Sequence, residues 1–346
     1  ALIGSQSALS NRNLIINGAA NVNQRGDSTG VTADGYYGPD RWYYKTEGEE
    51  TVSISQASDG PDGFANSYKV EVTTTDGTIA ADDYARVETR FEGQDLQHLK
   101  YGTSGAEFIT LSFYVKSSVT GTYAVAFYSA DGVRAIGSTY TISSANTWEY
   151  KTLTFAGDTG GTINDDNTEA LRVWFVLSAG SNFTSSDNTS WGAYSDAKVA
   201  YGHTANVIGT SSATWQITGV QLELGEKATP FEHRSFDDEL RRCQRYYWQA
   251  GRDQYKTVSH IYAVASSTSQ IEVIPSPPAG EMRAAPSLTI DGSFRSDRFG
   301  NASAQDMAAS YAGTSLTKDG GHFWWSVGSG TPFTYSHAGR FYPDES

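Results

Sequence analysis

Residues 108–132 place the strongest constraint on the fold, because their apolar side chains recur with a period of two. The stretch reads FITLSFYVKSSVTGTYAVAFYSADG. One face of each half is apolar: Ile109, Leu111, Phe113 and Val115 before a glycine-containing turn, then Tyr123, Val125 and Phe127. This period is typical of strands that bury one face. The segment therefore predicts two half-buried β-strands joined by a turn.

The same pattern recurs along the first two thirds of the chain. Further strands are predicted from SYKVEVTTT at 67–75, TWEYKTLTFAG at 147–157, EALRVWFVLSAG at 169–180 and TWQITGVQLELG at 214–225. The 21 tyrosines and 35 glycines suit strands joined by tight turns and do not suit a helical bundle. We therefore predict an all-β protein whose residues 11–232 form an antiparallel jelly-roll sandwich.

A single short helix is predicted next, within residues 233–250. It follows Thr-Pro-Phe-Glu at 229–232, with Ser235 as the candidate N-cap and Asp238 three residues further on. One stripe of this helix consists of Phe236, Leu240, Cys243 and Tyr247. The stripe is expected to pack either on its own sandwich or on the same helix of other subunits.

The remaining segments are assigned from their pattern. Residues 1–10 are predicted to form a short N-terminal arm. After Gly251 the alternation returns in KTVSHIYAVAS and SQIEVIP, so residues 251–346 are predicted to form a small C-terminal β-domain.

Charge and motifs exclude several function classes. The formal net charge of −14 argues against nonspecific nucleic-acid binding, which requires a basic surface. The single cysteine, Cys243, excludes an intrachain disulfide framework and a cysteine-based zinc site. The N-terminal residues do not read as a secretory signal, and no stretch of 18 apolar residues predicts a membrane span. G-x-S-x-G, P-loop and H-E-x-x-H motifs are absent, so enzymatic activity is not expected.

Aromatic residues in a polar, glycine-containing segment are the candidate ligand-binding groups. NTSWGAYSDAKVAYGH contains Trp191, Tyr194, Tyr201 and His203. Aromatic rings stack on the apolar C–H faces of sugars, so a groove beside these residues is a candidate saccharide site. The alternative is that they fill the end of the sandwich or a subunit interface.

Two turn-like segments could hold a structural calcium ion, although no metal ligand is assigned. Asn164–Ala170 and Asp27–Gly35 each carry several oxygen donors, which calcium prefers. The simpler interpretation is that Asp, Asn and Gly are the residues that turns use.

Several blocks of the sequence resemble phage tail-fibre and related virion proteins. The blocks, in order, are NLIINGAANVNQRG, GYYGPDRWYY, TLSFYVKSS, ITGVQLELGEKATPFEHRSFDDELRRCQRYYWQ and MRAAPSLTI. The resemblance spans roughly residues 12 to 290, and its most specific block is the fourth. It implies a sandwich similar to carbohydrate-binding modules, carried on a virion appendage that is usually trimeric. It implies no fixed set of binding residues.

The resemblance predicts attachment to host-cell surface glycans. The helix would then set three chains in register around a threefold axis, and the arm would dock on other proteins of the particle. Two alternatives remain open: a structural virion component, such as a head fibre, decoration or adaptor protein, and a glycan-cleaving tailspike enzyme.

Overall fold

The apolar faces predicted from the sequence belong to two antiparallel β-sheets that enclose one core. The computed structural model describes residues 12–248, 262–267, 270–274, 281–287, 294–298, 310–317, 320–326 and 339–343. The chain divides into two units, Ala1–Glu239 and Leu240–Ser346. The predicted arm at residues 1–10 lies outside the described residues.

The strands of the first unit are short and antiparallel. They are β1 (Ser28–Val31), β2 (Gly35–Tyr36), β3 (Tyr43–Thr46), β4 (Thr51–Ala57), β5 (Ser67–Thr74), β6 (Tyr84–Glu92), β7 (Ile109–Ser117), β8 (Gly121–Ser129), β9 (Arg134–Ile142), β10 (Glu149–Phe155), β11 (Glu169–Ala179), β12 (Gly192–Ala193) and β13 (Thr214–Leu224). The first sheet has six strands in the order β1-β4-β5-β13-β7-β10, and the second has seven in the order β12-β9-β8-β11-β6-β3-β2. The predicted all-β sandwich is confirmed.

Consecutive strands repeatedly change sheet, as in a jelly roll. The two strands predicted from residues 108–132 do not pair with each other. β7 lies in the six-stranded sheet beside β10 and β13, whereas β8 lies in the seven-stranded sheet beside β9 and β11. Their apolar faces meet across the core, because Phe113 of β7 and Phe127 of β8 are both fully buried.

Large aromatic side chains fill the space between the sheets. Phe175 of β11 packs against Phe113, Trp42 and Trp215, with ring centroids 5.3, 6.2 and 6.1 Å away. All four rings are at most 1% exposed. Burying side chains of this size contributes about 1.5–3 kcal/mol each relative to exposure, so the core fixes which face of each strand points outward.

The predicted helix is present but shorter than residues 233–250. A one-turn helix, α1 (Ser181–Thr184), precedes it, and α2 spans Phe236–Gln244. Ser235 caps α2 as expected, since its Oγ accepts the N–H of Asp238 at 3.2 Å.

The predicted stripe on α2 is uneven. Phe236 is 56% exposed, Leu240 is half-buried, Cys243 is fully buried, and Tyr247 lies beyond the last helical residue. The oligomerisation role of these residues stays a prediction.

The described strands of the second unit form two small sheets. They are β14 (Tyr262–Ser267), β15 (Gln270–Ile274), β16 (Phe294–Arg298), β17 (Ser310–Thr317), β18 (Gly320–Ser326) and β19 (Gly339–Pro343). The orders are β14-β15-β18-β17 and β16-β19. Within the described ranges, no helix combines the length and apolar character needed to cross a membrane.

Candidate functional site

An open cleft lined by aromatic rings lies on the outer face of the six-stranded sheet. Its floor comes from β7 and β10, where Tyr114 and Tyr150 are directly opposed cross-strand neighbours. Because Phe113 and Val115 point into the core, Tyr114 between them points outward. The rings of Tyr114 and Tyr150 lie 4.9 Å apart, and Tyr150 is 49% exposed.

Two loops form the sides of this cleft. Phe64 follows a turn in which its N–H donates to the carbonyl of Pro61 at 3.0 Å, and its ring lies 5.5 Å from Tyr114. Phe231 and His233, in the segment after β13, have ring centroids 5.0 and 5.2 Å from Phe64. We call the space bounded by Phe64, Tyr114, Tyr150, Phe231 and His233 the aromatic cleft.

The aromatic cleft has a volume of about 300 Å³. Its polar lining comes from Asp62, Ser112 and His233. A concave, mostly aromatic surface with a few polar groups is typical of small-molecule binding sites. The half-exposed rings offer stacking faces, and the polar groups offer partners for hydroxyl groups.

Gly219 allows the ring of Phe64 to approach the sheet closely. It sits where the pairing of β13 with β7 shifts register between Thr218 and Gln221, and its φ is +60°. A Cβ at this position would lie 2.7 Å from Cζ of Phe64. The left-handed conformation and the close ring both favour glycine here.

An ion pair between Lys116 and Asp59, with Trp148 beside it, lies next to the cleft floor. The Nζ of Lys116 forms an ion pair with Asp59 and lies 5.0 Å from the ring centroid of Trp148. The indole N–H of Trp148 donates to Oδ1 of Asp59 at 3.3 Å. The hydrogen bond from Lys116 lowers the pKa of Asp59 below its ordinary value. Trp148 immediately precedes β10 and is two residues from Tyr150 in the chain.

The outer face of the seven-stranded sheet is covered by its own chain. Trp174 of β11 is 2% exposed and stacks on Tyr128 of β8 at 5.2 Å and 12°. The guanidinium carbon of Arg86 lies 4.0 Å from the Trp174 ring centroid, and the fully buried Glu88 binds Arg86 and Arg90.

The cover over this face comes from residues 181–203. Phe183, Val199 and Ala200 are buried in one cluster with Trp174. We call the outer face of the seven-stranded sheet, around Trp174 and Tyr128, the covered face. Its aromatic rings are packed beneath the chain and its charged groups are paired, whereas Tyr150 of the aromatic cleft is 49% exposed.

Trp191 and Tyr194, two of the predicted glycan-binding residues, pack on the sandwich. The indole N–H of Trp191 donates to the carbonyl of Ala156 at 2.7 Å, and its ring contacts Tyr101 at 5.7 Å. Tyr194 contacts Tyr128 and Trp174 of the covered face at 5.0 and 6.0 Å. Its hydroxyl donates to Asp196 at 2.6 Å.

The other two predicted residues differ in exposure. Tyr201 is 40% exposed, whereas His203 is 8% exposed. Nδ1 of His203 accepts the N–H of Ala124 at 3.1 Å, and burial lowers the pKa of His203 to about 4. None of the ring contacts among the described residues joins two of the four candidates. Their saccharide role stays a prediction.

The candidate calcium segments use their carboxylates within the protein. Asp166 accepts the N–H of Thr168 at 2.8 Å, and Asp27 accepts the N–H of Gln56 at 2.9 Å. Across the described residues, no group of three or more His, Cys, Asp or Glu is arranged to hold a metal ion. Calcium binding stays a hypothesis for these turns.

Sequence reasoning missed the aromatic cleft, although one signal was present. Tyr114 shares its strand face with Thr110, Ser112 and Lys116, so an aromatic residue interrupts a polar face. Tyr150 likewise shares its face of β10 with Thr152 and Thr154. Outward aromatic residues on neighbouring strands are a better guide to this site than aromatic residues in a loop.

Comparison with known proteins finds distant structural likenesses. No family model matches the sequence, and no curated protein matches it. A domain of bacteriophage CBA120 tailspike protein 4, described as enzymatically active, is 14% identical with a TM-score of 0.34. That match covers 62% of this chain and only 21% of the tailspike chain.

Two carbohydrate-binding domains are also similar. A family 11 carbohydrate-binding module from Clostridium thermocellum, solved with a β-1,3-1,4-mixed-linked tetrasaccharide, is 13% identical with a TM-score of 0.29. The match covers 60% of this chain and 98% of the module. The N-terminal cellulose-binding domain of a Cellulomonas fimi β-1,4-glucanase is 11% identical, with a TM-score of 0.29 and coverage of 58% and 97%.

Proposed function

We propose that this chain attaches a virion to glycans on a host-cell surface, and that the aromatic cleft is its saccharide site. The observation that carries the proposal is the set of half-exposed rings around Tyr114 and Tyr150 on an outer sheet face. Exposed aromatic patches of this kind mark binding surfaces, because leaving them in water is unfavourable. The blocks that resemble phage tail-fibre proteins support the virion context.

The lining of the cleft suits binding without cleavage. Its single carboxylate is Asp62, within the described part of the chain. Glycoside hydrolysis usually requires two carboxyl groups about 5–10 Å apart. We therefore propose a lectin-like role and not that of a tailspike hydrolase.

The proposal includes a trimeric appendage whose N-terminal arm docks on the particle. Individual sugar sites of this size bind weakly, and three linked copies would raise the overall affinity by effective concentration. Light scattering of the purified protein tests this part, since a monodisperse monomer at working concentration contradicts it.

The decisive experiment compares two exposed tyrosines on an oligosaccharide array. Tyr150→Ala removes a cleft ring, whereas Tyr201→Ala removes a similarly exposed ring from the predicted loop segment; the two are 49% and 40% exposed. We expect Tyr150→Ala to lower affinity by roughly tenfold, as truncation at an interface anchor does, and Tyr201→Ala to leave it unchanged. The reverse result would place the saccharide site at residues 191–203.

A structural role in the particle is the second candidate, and the same cleft is the observation that favours it. An apolar, ring-lined surface also suits another virion protein. In that case the array shows no binding, purified protein fails to block phage adsorption, and Tyr150→Ala weakens assembly of the particle.

A further inference from the structure

One wall of the aromatic cleft belongs to a segment that contacts the cleft on one side and the N-terminal segment on the other. Residues 230–234 run Pro-Phe-Glu-His-Arg. Phe231 and His233 line the cleft, whereas Glu232 and Arg234 between and after them contact the N-terminal segment. The alternation separates ring contacts on one side from polar contacts on the other.

The polar side of residues 230–234 is hydrogen-bonded to residues 13–15. The Nη1 of Arg234 donates to the carbonyl of Ile15 at 3.0 Å, and its Nη2 donates to the carbonyl of Asn13. Oε2 of Glu232 accepts the N–H of Asn13 at 3.0 Å. The Arg234 side chain is 7% exposed and also pairs with Glu239 at 3.5 Å. We call Asn13, Glu232 and Arg234 the terminal clamp.

Asn13 connects the terminal clamp to the rigid sheet. Its Nδ2 donates to the carbonyl of Val220 at 3.1 Å, and its Oδ1 accepts the N–H of Leu222 at 3.1 Å. Both partners lie in β13, the strand that also carries Gly219 beneath Phe64. The N-terminal segment thus bridges the sheet and the cleft wall.

The cleft residues of this wall depend on their neighbours for position. No hydrogen bond of Phe231 or His233 themselves occurs among the described residues. Their neighbours in the chain are hydrogen-bonded instead. The carbonyl of Pro230 accepts from Arg12 at 2.6 Å, and the N–H of Glu232 donates to the side chain of Gln221 at 2.8 Å. Arg234 donates to the carbonyl of Ile15. The positions of both rings therefore depend on packing and on these neighbouring bonds.

We propose that the terminal clamp of Asn13, Glu232 and Arg234 positions the aromatic cleft, so that saccharide affinity depends on the N-terminal segment. This inference rests on the proposed function for its binding consequence. Coupling between two sites is reciprocal, so an occupied cleft would in turn strengthen the hold on residues 13–15. The N-terminal segment is then part of the binding site, although it does not line it.

Arg234→Lys is the test variant, because lysine keeps the charge but lacks the planar fork that reaches two carbonyls. Arg134→Lys is the matched control, since Arg134 lies in β9 of the seven-stranded sheet and binds Asp158 at 2.8 Å. Nuclear Overhauser contacts report the cleft without any saccharide. The Phe231–Phe64 contact should weaken in Arg234→Lys, while the Tyr114–Tyr150 contact persists as evidence of folding.

The same oligosaccharide array supplies the binding readout. We expect about a tenfold loss of affinity for Arg234→Lys and none for Arg134→Lys. A folded Arg234→Lys protein with an intact Phe231–Phe64 contact overturns the inference and leaves the proposed function standing. If the wild type binds nothing on the array, the proposed function fails, and the ring contact alone decides whether Arg234 positions the wall.

A milder variant covers the case in which Arg234→Lys does not fold. Glu232→Gln keeps the side-chain shape and the backbone bond to Gln221 but removes the charge that faces Asn13 and Arg234. Weakening of the same ring contact supports the inference, and an unchanged contact overturns it.

Discussion

The two outer faces of the sandwich carry similar aromatic residues in opposite states. On the six-stranded sheet, Tyr114 is half-buried, Tyr150 is exposed, and both border an open cleft. On the seven-stranded sheet, Trp174 and Tyr128 are stacked beneath residues 181–203 and Arg86. The difference shows that aromatic content does not identify a binding face; what matters is whether the chain itself covers the rings.

The largest expected effect tests whether the covered face is purely structural. Trp174→Ala should lower the free energy of unfolding by about 3–5 kcal/mol, because it leaves a large cavity in a buried cluster. Tyr150→Ala, at an exposed position, should cost less than about 1 kcal/mol. Chemical denaturation measures both variants.

Saccharide binding separates the two faces further. Trp174→Ala protein that remains folded should bind the array as the wild type does. Loss of binding in a folded Trp174→Ala protein, with Tyr150→Ala unaffected, would reverse the assignment of the two faces.

Acid should destabilise the covered face through His203. Burial lowers the pKa of this histidine from its ordinary value of 6.5 to about 4. The unfolded chain therefore binds a proton that the folded chain does not, so the stabilisation is full above pH 6.5 and is lost as the pH falls toward 4. The loss amounts to about 3 kcal/mol, and denaturation measured across this pH range reveals it.

Two substitutions check the assignment to His203. His203→Asn retains an acceptor for the N–H of Ala124 and should flatten this part of the pH profile. Tyr201→Phe, two residues away and exposed, should retain the slope. An unchanged slope in His203→Asn would assign the acid sensitivity to another group.

The sequence predicts correctly which face of a strand is buried wherever apolar side chains alternate with polar ones. Ile109, Leu111, Phe113 and Val115 are all fully buried, as their period of two requires. Alternation does not say which sheet a strand joins, so the placement of β7 and β8 in opposite sheets emerges only from packing. Ser235 was predictable as an N-cap because the interaction is local. The end of α2 at Gln244 was not, since the apolar stripe continues to Tyr247.

The candidate site was less predictable, because its parts come from distant positions. Phe64, Tyr114, Tyr150 and Phe231 come from four separate segments of the chain, and no short motif contains them. The segment around Trp191 and Tyr194 is locally rich in aromatic residues, which made it conspicuous, but those rings pack against Tyr101 and Trp174. Polar sequence around an aromatic residue therefore does not imply exposure.

A smaller effect is expected from Gly219→Ala, which alters the cleft without touching its rings. The left-handed backbone costs a residue with a Cβ about 1–2 kcal/mol. The new methyl group would also displace the ring of Phe64, which lies 2.7 Å from its position. We expect weaker array binding than wild type with a modest loss of stability. Gly30→Ala, also at positive φ but with open space around it, is the matched control and should change stability only.

The smallest expected effect concerns the polar group beside the cleft. Asp59 is 44% exposed, so its ion pair with Lys116 should contribute at most about 1 kcal/mol. Since the pKa of Asp59 is lowered, this contribution is present above the ordinary value of 3.8 and is lost as the pH falls below it. In Asp59→Ala the indole N–H of Trp148 loses its acceptor, so its hydrogen exchange, followed by NMR, should accelerate while that of Trp174 stays slow. Equal acceleration at both indoles would mean that the substitution loosens the whole sandwich, and the two faces would then not be independent.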